Sequence, residues 1–358
     1  MADTVLVTGG FGLVGSETVR QLTAAGRRVA VADLDTPANR KKARALPGGA
    51  RPHWADLTDP AAVDRLVADV SPSAIVHLAA IIPPPLYRNP GLARKVNVDA
   101  TVALVRAAEA QPQPPRFVQA SSNAVYGSRN PHRVTDVVRA DTPTRPIDVY
   151  SATKLEAEEY VRASGLEWVV LRLGAVLSPD FSALPLSADG IFIESALPTD
   201  NRIHTVDVRD VATAFATATT ADVAREILLI AGDDSHKLLQ KDVGPALAAA
   251  LGLPGVLPEG RPGDPDSDDG WFLTDWMDTE RAQQALGFQH HSWPAMLDEM
   301  RARMGWKRYP LALVAPLARV FLARRAAYRH APGRYADLWG AIRARLGEPG
   351  LDAQRPGG

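Results

Sequence analysis

The chain contains no cysteine. Disulfides, thiolate metal sites and a cysteine nucleophile are therefore excluded, and the composition agrees with a reducing cytoplasm, the expected location. No charge of one sign dominates: 40 Lys and Arg stand against 41 Asp and Glu over 358 residues, so bulk electrostatics predict no nucleic-acid partner. An uninterrupted apolar run of the roughly 18 residues that span a bilayer is also lacking. The first residues lead straight into an apolar strand-like segment, which leaves no room for a signal peptide. No metal site is expected. The acidic stretch 264–270 resembles a calcium loop, but its glycine comes one place late, Pro265 fills the second position and Asp275 the twelfth. It reads as a solvated loop. His290 and His291 lack the accompanying ligand spacing of a metal centre.

What is present begins with Val5-Leu6-Val7-Thr8-Gly9-Gly10-Phe11-Gly12-Leu13-Val14-Gly15. A β-branched run enters a glycine cluster, which opens into helical spacing at Val14, Thr18, Val19 and Leu22. Glycines let a backbone turn tightly and approach phosphate oxygens, while the first N–H groups of the helix point at the charge. The spacing Gly10-x-Gly12-x-x-Gly15, with its variant from Gly9, fits a dinucleotide pyrophosphate, and Phe11, Leu13 and Val14 lie within the same turn. A second strand ends in Asp33, an acid placed to accept both hydroxyls of an adenosine ribose and to repel a 2′-phosphate. NAD is therefore favoured. Arg40, Lys41 and Lys42 keep NADP as the alternative.

Strands and helices alternate through the first half, which predicts a Rossmann-like, doubly wound parallel sheet of the α/β class. A third strand falls near residues 52–55, with Asp56 and Leu57 at its end facing an adenine. A helix follows over 59–70. The fourth strand, 74–80, ends in Leu78, Ala79 and Ala80, small enough at its edge to lie beside a cofactor. Ile81-Ile82-Pro83-Pro84-Pro85 is stiff and apolar and can wall a pocket. A long helix is predicted over 90–110, strands over 116–120 and 167–171, a helix over 207–219 and a strand over 226–230. Residues 174–204 read as loops with short elements. Further helices are expected at 238–251 and 279–286. The division is a dinucleotide-binding domain 1–173, rejoined by 205–232; a smaller substrate-binding region from 174–204 and 233–305; a basic helical appendage 306–346; and a disordered tail 347–358.

Tyr150 and Lys154 are spaced i, i+4, which puts phenol and ammonium on one helix face a turn apart. A tyrosine has a pKa of about 10; a neighbouring ammonium stabilises the phenolate and makes a usable acid/base. Upstream, Ser121 and Ser122 follow a strand, and a hydroxyl there can hold a substrate oxygen towards Tyr150. The residues alone do not rank one serine above the other.

The glycine turn, the His-Leu-Ala-Ala strand end at 77–80, Ser-Ser-x-x-Val-Tyr-Gly from Ser121 and Tyr-x-x-x-Lys from Tyr150 resemble, in order and spacing, the extended short-chain dehydrogenases/reductases. That group contains the NAD-dependent epimerase/dehydratase family, and the resemblance runs over about residues 3–300. It implies that Ser122 is the catalytic Ser/Thr, Tyr150 the acid/base, Lys154 the ribose-binding lysine and Asn97 the supporting asparagine. It also implies structural parts for Asp207 and Asp210, and a homodimer through a four-helix contact. Three departures bear on the reaction. Asn123-Ala124 stand where the family's dehydratases carry Asp-Glu. Residues 173–178 hold no asparagine, where nucleotide-sugar epimerases usually have one. Arg202 is the single arginine of 174–204, whereas a diphosphate wants fixed cations.

The expectation is an oxidoreductase moving hydride between a nicotinamide and a carbonyl or secondary alcohol of a small or lipophilic molecule, in a pocket lined by 81–85, Phe181, Leu184, Leu186, Ile191 and Phe192. The alternatives are a sugar or nucleotide-sugar epimerase and a dinucleotide-sensing protein without turnover. The segment 301–346 carries eleven Arg and Lys against one acid, Asp337, with aromatics between them. A helical hairpin packed on its own domain or on a second subunit is favoured there; peripheral contact with an anionic membrane is the alternative.

Overall fold

The alternation read from the sequence builds one parallel sheet, seen in a computed structural model that describes residues 3–180, 187–328 and 332–354. In chain order the first elements are β1 (Thr4–Thr8), α1 (Leu13–Ala24), β2 (Arg28–Asp33), α2 (Pro37–Ala43), β3 (Ala50–Trp54), α3 (Pro60–Val70) and β4 (Ala74–His77). After the short helices α4 (Pro85–Arg88) and α5 (Pro90–Arg94) come α6 (Ala100–Glu109), β5 (Arg116–Ser122), α7 (Val149–Ala163), β6 (Trp168–Leu173) and β7 (Ala175–Leu177). The remainder is α8 (Ala188–Ala196), β8 (Arg202–Asp207), α9 (Val208–Ala218), β9 (Glu226–Ile230), β10 (Lys237–Leu239), α10 (Gln240–Ala250), α11 (Glu280–Leu286), α12 (Trp293–Met304), α13 (Arg308–Ala323) and α14 (Leu338–Leu346).

Among the described residues the main sheet has seven strands in the order β3-β2-β1-β4-β5-β6-β9, paired in parallel throughout. Strands β1, β2, β4 and β6 carry near-continuous apolar runs because both faces are covered, whereas the edge strand β3, Ala-Arg-Pro-His-Trp, is largely exposed. One face packs Val5, Val7, Val29 and Val31 against Val19 and Leu22 of α1, Val211 and Phe215 of α9 and Leu286 of α11. The other packs Leu6, Ile75, Phe117 and Val170 against α3, α6 and Val161 of α7. The strand order reverses between β1 and β4, so the carboxyl ends of those strands open the crevice where ligands of such sheets sit. A smaller sheet, β10-β8-β7, lies beyond β6.

Several expected elements are corrected. The long helix 90–110 is interrupted by a π-helical turn at Lys95–Asp99, where the buried Asn97 bonds the backbone of Ile81. The strand expected to reach Ala80 stops at His77. Leu238 and Leu239 form β10, antiparallel to β8, and α10 starts only at Gln240; two leucines before a helix read as its first turn unless the partner strand is known. The stretch 174–204 contains β7, α8 and the start of β8, while Phe181, Leu184 and Leu186 lie outside the described residues. Residues 347–354 do not form a loose tail: Pro349 accepts from Val149 N at 2.9 Å and Leu351–Gln354 forms a 3-10 turn. The basic appendage divides, since α14 buries Leu338, Ile342 and Leu346 in a cluster with Leu86 and Tyr87 of α4, Val149 of α7 and Ala196 of α8, whereas α13 is largely exposed.

Two buried polar links hold the crevice in register. His77 at the end of β4 bonds Thr8 of β1 through Nδ1 (2.6 Å) and Thr101 of α6 through Nε2 (3.0 Å). Further along, Glu158 of α7 and Arg172 of β6 form an ion pair at 2.6 Å with side chains 0% and 2% exposed. Ser121 donates to Glu158, and Arg172 donates to the Tyr126 hydroxyl at 2.7 Å. Tyr150, Lys154 and Glu158 follow one another at i, i+4, i+8, so the ion pair anchors the same face of α7 that carries the two candidate catalytic residues.

Replacing Glu158 by Gln strands a buried guanidinium, and denaturant unfolding should show a loss of about 3–5 kcal/mol. The double variant Glu158→Leu/Arg172→Met should recover part of it. His77 gives a pH signature. Burial, with a lesser push from Lys154, lowers its pKa to about 3, so between about pH 6.5 and 3 the unfolded chain binds a proton that the folded chain refuses. Stability then falls as pH falls through that window, by up to about 1.4 kcal/mol per unit. Between pH 7 and 5 wild type should lose about 2 kcal/mol more than His77→Gln in urea unfolding; equal losses would place the titration elsewhere.

Candidate active site

The glycine turn is a cradle that side chains would fill. Gly9 has φ +65°, and a Cβ there would stand 2.8 Å from Ala79 N. A Cβ on Gly15 would stand 2.2 Å from Gly9 O. Gly12 caps α1 without a side-chain hydrogen bond, and the first turn of the helix contains no acid. Leu13, Val14 and Gly15 therefore start a helix whose amide dipoles face an anion unopposed, and the cradle fits a pyrophosphate. Leu78, Ala79 and Ala80 line the facing edge, half-buried beyond β4.

Asp33 ends β2 as expected. Its Oδ2 accepts from Phe11 N at 3.1 Å, and Oδ1 accepts from Leu34 N at 2.8 Å and Asn39 Nδ2 at 3.1 Å. The carboxylate is thereby fixed against the glycine turn. Lys42 Nζ donates to Phe11 O at 2.6 Å, and Arg40 pairs with Asp35 at 2.5 Å, so two of the three cations that kept a 2′-phosphate in view are engaged. Phe11 stacks on Trp54, with centroids 5.7 Å apart. The sequence pattern did not single out Trp54; an aromatic at the end of β3 was the available signal. Asp56 accepts from Thr58 within its own turn, and Leu57 is buried in the core beside α3.

The start of α7 is fixed by Asp148. Its Oδ1 accepts from Ser151 N at 2.8 Å in a reciprocal cap, and its Oδ2 accepts from the Tyr87 hydroxyl at 2.7 Å. Two residues on, the Tyr150 phenol comes under the influence of the Ser122 hydroxyl, which acts to lower its pKa. This ranks the serines: Ser122 meets the phenol, while Ser121 donates to Glu158. Ser122 is held by accepting from Ala124 N at 3.2 Å, as the cap of the 3-10 turn Asn123–Tyr126. Lys154 is buried and donates to Ala120 O at 3.2 Å. Asn97 donates to Ile81 O at 2.9 Å, accepts from Ile81 N at 2.8 Å and reaches Thr153 Oγ1 at 3.3 Å. Its carboxamide thus positions the loop after β4.

Electrostatics here correct one expectation. Burial pushes the Tyr150 phenol up to about 12; the Ser122 hydroxyl opposes this and the Asp148 charge adds to it. Burial likewise pushes the Lys154 ammonium down to about 8, with Glu158 pulling the other way. Desolvation thus dominates the phenol's titration, and Tyr150 is a protonated donor at neutral pH.

The surroundings of Tyr150 are apolar. Ile81 and Tyr150 join one cluster with Ile193, Phe272 and Trp339. Phe192 is buried beneath the Arg345 guanidinium, 4.4 Å from its ring. Phe272 and Trp339 come from far along the chain, and no local pattern announced them. Asn123, beside Ser122, is 6% exposed, and its Nδ2 has no hydrogen-bond partner among the described residues. Arg202 is held over Trp276 at 4.7 Å and lies 3.7 Å from Asp275. Asp207 and Asp210 are structural: Asp207 caps α9, and Asp210 accepts from His290 N and His291 N and pairs with the His291 ring at 2.6 Å. In the acidic loop, Asp268 pairs with Arg133 at 2.9 Å and Asp269 with Arg145. No described helix is long and apolar enough to cross a membrane.

The chain is similar to UDP-glucose 4-epimerase 4 of Oryza sativa subsp. japonica, 35% identical over 181 residues, 48% of each chain. It is also similar to D-erythronate dehydrogenase of Cupriavidus necator, 31% identical over 187 residues, 48% of this chain and 55% of that one. It spans about half the length of these curated relatives. Among solved structures, the UDP-glucose 4-epimerase of Thermus thermophilus in complex with NAD superposes with TM-score 0.66 at 27% identity, over 83% of this chain and 99% of that one. The family model described as NAD dependent epimerase/dehydratase matches residues 5–231, and the chain belongs to that family.

Proposed function

We propose that the chain is an NAD-dependent epimerase acting on a secondary alcohol of a sugar-class substrate. The observation that carries this is the grouping of the Ser122 hydroxyl at the end of β5 with the Tyr150 phenol at the start of α7, and with Lys154 one turn further along the same helix face. Bound NAD supplies the acceptor, and when reduced the donor, of the hydride. Ser122 orients the substrate oxygen, and Tyr150 Oη exchanges the proton with it. Lys154 holds the ribose and supplies the charge that steadies the phenolate. Asp33 takes the adenosine ribose hydroxyls, and Trp54 with Phe11 offers a face for the adenine.

The sequence alone leaned towards net oxidoreduction, and two observations keep that as the second reading. Arg202, the single arginine of 174–204, is paired with Asp275 and stacked on Trp276, which leaves the diphosphate of a nucleotide sugar without that cation. A dehydrogenase also stands among the relatives. Transient oxidation accounts equally well for the Ser/Tyr/Lys set, and several curated relatives are UDP-glucose 4-epimerases. Dehydration is disfavoured because Asn123 and Ala124 follow Ser122 without a carboxyl group.

Incubation with NAD and a panel of sugars and nucleotide sugars should yield the epimer with no net change in absorbance at 340 nm; stoichiometric NADH would select the dehydrogenase. Tyr150→Phe should lower kcat by about 10²–10⁴-fold while NAD still binds. Gly15→Ala should abolish NAD binding measured by calorimetry. A Tyr150→Phe enzyme with full turnover would remove the proposed chemistry.

A further inference from the structure

We infer that α13 is an in-plane membrane anchor that docks the protein on an anionic lipid surface. The helix presents one uninterrupted apolar side to solvent. Trp306 just before it, then Tyr309, Leu313, Leu317, Val320 and Phe321, are 73, 64, 82, 75, 52 and 55% exposed. Their spacing is helical, and the opposite side meets the body of the protein through Ala315, which is 6% exposed. Monomeric surfaces rarely leave so many large apolar side chains contiguous.

The helix is fastened at both ends, so this exposure is built into the fold. At the start, Gly252 approaches so closely that a Cβ there would stand 2.4 Å from Arg308 O. Beyond the end, Ala327 N donates to Ser195 Oγ at 3.0 Å and the Tyr328 hydroxyl to Ala196 O at 2.7 Å, which ties the chain to α8.

Charge selects the occupant. Between Glu299 and Asp337 the sequence contains no acid, while Lys307, Arg308, Arg319, Arg324 and Arg325 flank the apolar side. A two-fold contact between copies would bring these cations against themselves. An anionic bilayer neutralises them, takes the leucines below its headgroups and suits Trp306 and Tyr309 at the interface. At 16 residues the helix measures roughly 24 Å, too short to cross and long enough to lie flat.

The test uses the full chain with phosphatidylcholine vesicles, with and without phosphatidylglycerol. The protein should sediment with the anionic vesicles, be released by salt, and bind neutral vesicles far less. The variant Leu313→Glu/Leu317→Glu should bind at least about tenfold more weakly with unchanged NAD binding and thermal midpoint. Protein that stays in the supernatant, or a variant that binds like wild type, overturns the inference. So does a lipid-free oligomer, seen by sedimentation velocity, that the double variant dissociates, because a second copy then covers the face.

Discussion

The buried ion pair between Glu158 and Arg172 is the constraint on which the site depends. It joins α7 to β6, and through Ser121 and Tyr126 it also joins β5 and the turn that follows. Ser122 and Tyr150 come from different elements, so their side chains are brought together only if α7 sits at a fixed height against β5. Apolar contacts such as those of Val161 with the sheet resist separation but tolerate sliding. A directional pair with both partners desolvated does not. Such pairs add little net stability over an apolar substitute, so its value here is read as positional.

The same desolvation that makes the pair directional sets the state of the reactive groups. Tyr150 is moved towards the neutral phenol and Lys154 towards the neutral amine. Asp148, whose carboxyl burial also pushes up, is held by Ser151 and Tyr87. The resting site thus disfavours every isolated charge. Glu158 keeps Lys154 from drifting further, because its charge raises the ammonium's pKa. One carboxylate therefore serves both the architecture and the electrostatics of α7.

The parts legible in the sequence were those with local causes. The glycine cradle is written in four glycines, Gly9, Gly10, Gly12 and Gly15, and Asp33 in its distance from them. The Tyr150/Lys154 face follows from helical spacing. Glu158 continued that spacing and was legible in principle, but its partner Arg172 lies on a strand whose neighbours only the fold supplies. The π-turn at Asn97 was hidden because its cause, the Ile81 backbone, is distant in sequence. For the same reason Leu238 and Leu239 read as helix, and Phe272 and Trp339 went unnoticed as members of the apolar cluster beside Tyr150. The direction of the Tyr150 shift was misjudged because spacing reports which groups are near and says nothing about how dry they are.

The appendage shows how pairing, more than composition, decides what a basic segment does. Both of its helices are rich in arginine. On α14, Arg343 pairs with Glu348 at 2.6 Å and Arg345 with Asp189 at 3.2 Å, so the helix can bury Leu338, Ile342 and Leu346 beside α8 with its charges satisfied. On α13, Arg319 and Arg324 pair with no carboxylate among the described residues, and packing that helix deeper would desolvate cations without compensation. The apolar side is consequently left outward, while α14 is drawn into the apolar cluster against which Tyr150 packs. One composition thus yields a packed helix where acids are within reach and an exposed greasy face where they are not.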